Sequence, residues 1–224
     1  MVCFPTKTLL SYKVTRENMN SEVTDLAVKS ISFAAEISFI NDIGINSDGT
    51  LLAILHTKDN DVSVDVFSIK TICGSTSTEP LKPICKTRVG LSESNQGSAL
   101  EWNPAFADTF AAASTDRTVL VVKIDINNPS SQTLVGIGKF GAYTTAISWS
   151  PKGKQLTVGD SLGKIVQLKP ELEVVRCQFG PEQNPSYGKV TGEVLKIKKQ
   201  FYVFVVFNIY NSTLFFFVPL FKRF

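Results

Sequence analysis

One strand–turn–strand unit occurs three times in this chain, and that repetition restricts its fold more than any other feature. The units align on the first residue of three turns: Asn46-Ser47-Asp48-Gly49, Asn103-Pro104-Ala105-Phe106 and Ser150-Pro151-Lys152-Gly153. A type I turn favours Asn or Ser first, Pro second and Gly fourth. The third copy meets all three preferences and the other two meet two each. Before each turn stands a pair of apolar residues flanking one other: Ile43 and Ile45 around Gly44, Leu100 and Trp102 around Glu101, Ile147 and Trp149 around Ser148. That spacing predicts a strand with one buried face, these pairs pointing inward.

The sequence after each turn repeats as well. A small, apolar run comes first (Leu51 to Leu55, Phe110 to Ala113, Leu156 to Gly159). A polar break comes next: Lys58 to Asp61, Ser114 to Arg117, and Asp160 to Gly163. A β-branched strand then begins 14 to 16 residues beyond the turn start: Val62 to Phe67, Thr118 to Ile124, Lys164 to Leu168. The units recur at intervals of 57 and 47 residues. A propeller blade has four short strands and a period of roughly 40–50 residues. The longer first interval contains Cys73 to Pro80, small and polar, which predicts an inserted surface loop. The fold class expected is all-β, a partial WD40-like β-propeller of about three to four blades. A β-sandwich with look-alike hairpins is the alternative, but it has no reason to repeat turn, inward pair and third strand in phase. Gly159 to Gly163 predicts two hairpin glycines; a phosphate cradle needs a helix after it, and a β-branched strand stands there instead.

Composition narrows the function classes. The 43% hydrophobic and 19% charged content is that of a globular chain. Five of the 23 basic residues lie after Glu193, leaving 18 against 20 acidic side chains in residues 1–193. That net −2 cannot neutralise phosphates, so direct nucleic-acid binding is not expected. Cys3, Cys73, Cys85 and Cys177 have no zinc-ligand spacing and, scattered so, fit a reducing compartment. Met1 to Pro5 has no basic region and too few apolar residues for a secretory signal.

Little here suggests catalysis. His56 is the one histidine, so no two-histidine metal site or histidine relay can form; ending an apolar strand, it reads as a surface or loop-edge residue without a carboxylate in register. No G-x-S-x-G elbow occurs. Asp59, Asp61 and Asp65 cluster around one hairpin without the calcium-loop pattern and read as a solvated turn. Asp116-Arg117 reads as an exposed turn pair, and the sequon Asn211-Ser212-Thr213 as chance. No catalytic, cofactor-binding or metal residue is assigned, no cofactor is expected, and partner-binding residues stay unassigned.

The stretch Ala146-Ile147-Ser148-Trp149-Ser150-Pro151-Lys152-Gly153-Lys154-Gln155-Leu156-Thr157-Val158-Gly159 resembles a blade in the N-terminal propeller of the 214-kilodalton nucleoporin family. Leu100-Glu101-Trp102-Asn103-Pro104 is similar to its preceding blade, and Phe4-Pro5-Thr6-Lys7 with Leu9-Leu10 to its first; the resemblance spans about residues 3–175. The resemblance implies a seven-bladed ring on the cytoplasmic face of the nuclear pore complex. It further implies docking of a DEAD-box mRNA-export helicase beside other nucleoporins, in support of mRNA export, with no enzyme activity. A WD40-type adaptor in another complex is the alternative. The family's Phe-Gly array is not matched: Phe140-Gly141 and Phe179-Gly180 are isolated. No family contact residue is carried over.

A seven-bladed ring needs roughly 300 residues or more. Residues 1–193 are therefore expected to form an incomplete propeller with exposed strand edges, which aggregates or pairs edge to edge when expressed alone. A monodisperse monomer that melts cooperatively refutes this. Residues 194–224 differ in kind: they hold 8 of the 16 phenylalanines, no acidic residue, and 18 residues that are Phe, Tyr, Ile, Asn or Lys. Three readings stay open: translated intron or another gene-model artefact, a membrane tail anchor over 201–218, and a divergent final strand.

Overall fold

The computed structural model describes residues 39–74, 80–90, 96–125, 127–128 and 131–175 with their side chains. It adds backbone placements for 2–4, 8–11, 29–32, 186–189, 194–198, 202–209 and 212–219. Strands β1 (Val2–Phe4), β2 (Thr8–Ser11) and β3 (Lys29–Ser32) form one antiparallel sheet. Three four-stranded antiparallel meanders come next. Blade I holds β4 (Phe39–Ile45), β5 (Leu51–Lys58), β6 (Asp61–Ser68) and β7 (Cys85–Arg88). Blade II holds β8 (Gly97–Trp102), β9 (Thr109–Ser114), β10 (Thr118–Ile124) and β11 (Gln132–Lys139). Blade III holds β12 (Thr144–Trp149), β13 (Leu156–Asp160), β14 (Lys164–Leu168) and β15 (Ser186–Lys189). A last sheet joins β16 (Val194–Lys198), β17 (Tyr202–Ile209) and β18 (Ser212–Pro219). The inner strands β4, β8, β12 and β16 neighbour one another in succession, as they do around a propeller axis. The expected second and third strands of each repeat fall where the sequence places them.

Blade faces, not blade edges, make the core. Phe110, Ala112, Leu120 and Val122 of blade II pack with Leu51, Ala53, Leu55, Val62, Val64 and Val66 of blade I. Their alternates Ala111, Ala113, Val119 and Val121 pack with Ile147, Trp149, Leu156 and Val158 of blade III. A middle strand of a sandwiched blade buries both faces, so β9 and β10 read as nearly continuous apolar runs.

The repeated turns also stitch neighbouring blades together. Asn46 Oδ1 accepts from the Thr50 and Leu51 N–H groups, while its Nδ2 donates to the Ala107 carbonyl of blade II at 2.8 Å. Asn103 does the same one blade on: Oδ1 accepts from Ala105 and Phe106, and Nδ2 donates to the Gly153 carbonyl at 2.9 Å. Ser150 is shorter, and its hydroxyl accepts only within its own turn, from Gln155 N–H. In the opposite direction Trp102 Nε1 donates to Gly44 O and Trp149 Nε1 to Glu101 O. Two carboxylates complete the seams, Asp42 accepting from Leu100 N–H and Glu101 from Trp149 N–H.

Two expectations need correction. The alternation predicts Ile45 pointing inward with Trp102 and Trp149, but it is 49% exposed where they are 4% and 1%. Burial at this position comes from the preceding blade's inner strand, and no described side chain precedes β4 in that way. The segment expected as a surface loop from Cys73 begins within a short helix, α1 (Ile69–Gly74), whose Ile72 is buried; residues 75–79 lie outside the described set.

Candidate docking face

The three hairpins that join second to third strands lie at one end of the blades, and each solves the same chain reversal differently. In blade I a two-residue turn puts Asp59 and Asn60 at φ 47° and 68°, conformations that Asp and Asn tolerate better than most side chains. Blade III uses Asp160-Ser161-Leu162-Gly163, with Gly163 at φ 78° and its N–H donating to Asp160 O. A glycine is the natural residue there. The expectation of hairpin glycines holds for Gly163, while Gly159 lies inside β13 and is buried. Blade II places Arg117 at the matching position, φ 75°, its N–H donating to Ser114 O. Asp116 Oδ1 accepts from the Ser114 hydroxyl and the Thr118 N–H, which braces the turn from within. The expected exposed pair is thus half right: Arg117 is exposed, and Asp116 is partly buried.

Between the turns of blades II and III lies an open cleft of about 820 Å³. Its walls are Thr115, Asp116 and Arg117, then Lys139 at the end of β11, Gly141, Ala142 and Tyr143 from the link into β12, then Ser161 and Leu162. The Tyr143 carbonyl accepts from Ser161 N–H, which pins the link to the turn. The tyrosine side chain is nevertheless 60% exposed and Leu162 68%. Phe140-Gly141, expected in a loop, does lie in this link; Phe179-Gly180 falls outside the described residues.

The remaining sequence candidates do not gather into a reactive site. His56 and Asp65 are the largest correction. The sequence places His56 at the surface without a carboxylate, and Asp65 in a solvated turn. Both are 1% exposed, with His56 Nε2 3.2 Å from Asp65 Oδ2. The pair is diagonal: His56 stands opposite Ser63 and Ile54 opposite Asp65, so a search in direct register misses it. Sealed from water, the two cannot meet a substrate. Asp59 is exposed, and Asp61 pairs with Arg88 at 2.7 Å on the surface. Among the described residues no three His, Cys, Asp or Glu side chains come together to hold a metal ion.

Cys85 is buried and free, its Sγ donating to Gln132 Oε1 at 3.1 Å; burial pushes its thiol above the ordinary range despite a hydrogen bond with Thr87. Cys73 is free and exposed, and the side chains of Cys3 and Cys177 lie outside the described set, as does Asn211 of the sequon. Among the described residues no helix is long and apolar enough to cross a membrane. The feature that sequence reasoning missed is the cleft. Its one local sign is an arginine where the next repeat has Gly163.

Comparison with known proteins gives the repeat a context. No protein-family model matches the chain. Nuclear pore complex protein 14 of Caenorhabditis elegans is 70% identical over 190 residues, 85% of this chain. Nuclear pore complex protein Nup214 of Drosophila melanogaster is 25% identical over 150 residues, 64% of the chain, and that of Homo sapiens 25% over 179 residues, 78% of the chain. The chain spans 14% of the nematode protein's length and 8% of each of the other two. Among solved structures, Sqt1 of Chaetomium thermophilum superposes with a TM-score of 0.63 at 11% identity, over 89% of this chain and 48% of that one. The WD40 domain of Toxoplasma gondii coronin gives 0.55 at 19% identity, over 82% and 45%. These structural likenesses establish the WD40-like propeller fold and nothing about partners.

Proposed function

Because this chain belongs to the 214-kilodalton nucleoporin family, we propose that it is a non-catalytic docking element of the nuclear pore complex. The observation that carries the reading is the 70% identity with a nuclear pore complex protein across 85% of the chain, over blades built for packing and not for chemistry. In the finer form of the proposal the propeller sits at the cytoplasmic face of the pore and binds a DEAD-box RNA helicase, supporting mRNA export beside other nucleoporins. The described residues suit such a role: the His56–Asp65 pair is sealed, and large apolar side chains such as Phe106, Tyr143 and Leu162 stand exposed. A pulldown of the export helicase with the full-length protein tests it. Capture supports the reading, and failure with intact, folded protein removes the helicase from it.

Residues 1–193 are assigned to the propeller, and 194–224, whose β16 follows β12 in the series of inner strands, is either its divergent continuation or a segment of separate origin. RNA reads that run unspliced across codons 193 and 194 into an open frame make the segment genuine. Reads that splice away at that junction mark it as foreign. Carbonate-resistant membrane association that depends on 201–218 returns the tail-anchor reading.

A further inference from the structure

We infer that the cleft between blades II and III binds an acidic peptide segment of a partner protein, one that carries a bulky apolar side chain. The inference deepens the docking reading by giving it a face and a partner chemistry. Arg117 and Lys139 both line the cleft and both are exposed. Neither side chain has a hydrogen-bonding or ionic partner among the described residues, and the one carboxylate in the walls, Asp116, turns its Oδ1 to Ser114 and Thr118. The cleft therefore sets two uncommitted cations against one carboxylate, a positive balance that favours an acidic ligand.

Beside them Tyr143 and Leu162 stand 60% and 68% exposed at the same opening. A tyrosine pinned through its backbone gives a rigid amphipathic contact, of the sort that dominates interface energetics. The backbone adds an independent sign. Arg117 sits at φ 75°, where blade III has Gly163 at φ 78°. A branched or long side chain in this region is disfavoured, and such residues concentrate where the side chain is needed. Replacing the arginine by glycine would relax the turn, so the turn itself gives no reason to keep it.

A nucleic-acid backbone is the other anionic occupant to weigh. Two cations are few for a phosphate chain, and the exposed apolar side chain of Leu162 offers it nothing.

The test is fluorescence anisotropy with the full chain and a labelled ten-residue peptide of Asp and Glu around a central Phe. The controls are the same peptide with Lys for each acid and a ten-nucleotide single-stranded RNA. The acidic peptide should bind with a dissociation constant of about 1–100 µM, weakening as salt rises. Arg117→Gly with Lys139→Gln should weaken binding about tenfold, and Leu162→Ser about fivefold. Because Arg117→Gly relieves the turn, its melting temperature should hold or rise, which separates lost binding from lost folding. The inference is overturned by no peptide binding, by binding the double variant leaves unchanged, or by RNA binding as tightly. Direct titration can fail while the helicase pulldown succeeds, and the reverse, so the two proposals fall separately.

Discussion

The last residues of β4 and β12 occupy the same place in the repeat and have opposite fates. Ile45 closes the inner strand of blade I and is half exposed, whereas Trp149 closes that of blade III and is sealed. The indole of Trp149 reaches back over blade II and donates to Glu101 O, as Trp102 does to Gly44 O. The strand pattern around each is alike, so the pattern does not decide burial. The preceding blade does. A propeller position becomes a core position only when the blade before it supplies a wall and a carbonyl, and a repeat protein's stability is accordingly shared between units and their interfaces.

That contrast can be broken by substitution, with stability read by denaturant melts of the full chain. Trp149→Ala should cost about 3–5 kcal/mol, since it empties a fully buried site and orphans the Glu101 carbonyl. A cost under about 1 kcal/mol would mean the seam does not carry the blade. Asp65→Ala should cost about as much or slightly less, roughly 3 kcal/mol, by leaving His56 buried beside no carboxylate. A double His56→Leu, Asp65→Leu variant that recovers most of the loss would sharpen this, showing that the pair gives specificity more than stability. Asn103→Ala should cost about 1–2 kcal/mol, because it unpairs two turn N–H groups and the link to Gly153 O together. Ser150→Ala, whose hydroxyl accepts within its own turn, should cost less than Asn103→Ala; the reverse order would mean that the Asn103 link to the next blade adds no stability.

Ile45→Ser is the smallest, within about 0.5 kcal/mol at so exposed a site. A large loss there would mean the position is covered. Thiol labelling gives a check that needs no substitution. Cys73 should react with a maleimide at pH 7.5 far faster than Cys85, whose raised pKa and burial both withhold thiolate.

Much of the fold was legible. The turn chemistry at Asn46, Asn103 and Ser150 and the runs behind them located the second and third strands of all three blades, because both signals are local. The His56–Asp65 pair was not legible. In β5 and β6 both faces are buried, so alternation no longer separates core from surface, and a diagonal partner two positions along cannot be seen from direct register. The cleft was less legible still: it joins residues 115–117 to 139–143 and 161–162, and none of these stretches is unusual alone.

By itself the sequence determined the period, the turn positions and the order of strands, since each arises from side-chain alternation and backbone preferences within a few residues. Only the tertiary structure decided which apolar residues are core. Burial, the reach of Asn46 and Asn103 to the next blade, and the open cations beside Tyr143 depend on how one blade is set against its neighbour. That setting is fixed by contacts about fifty residues apart in the chain, where local pattern carries no information.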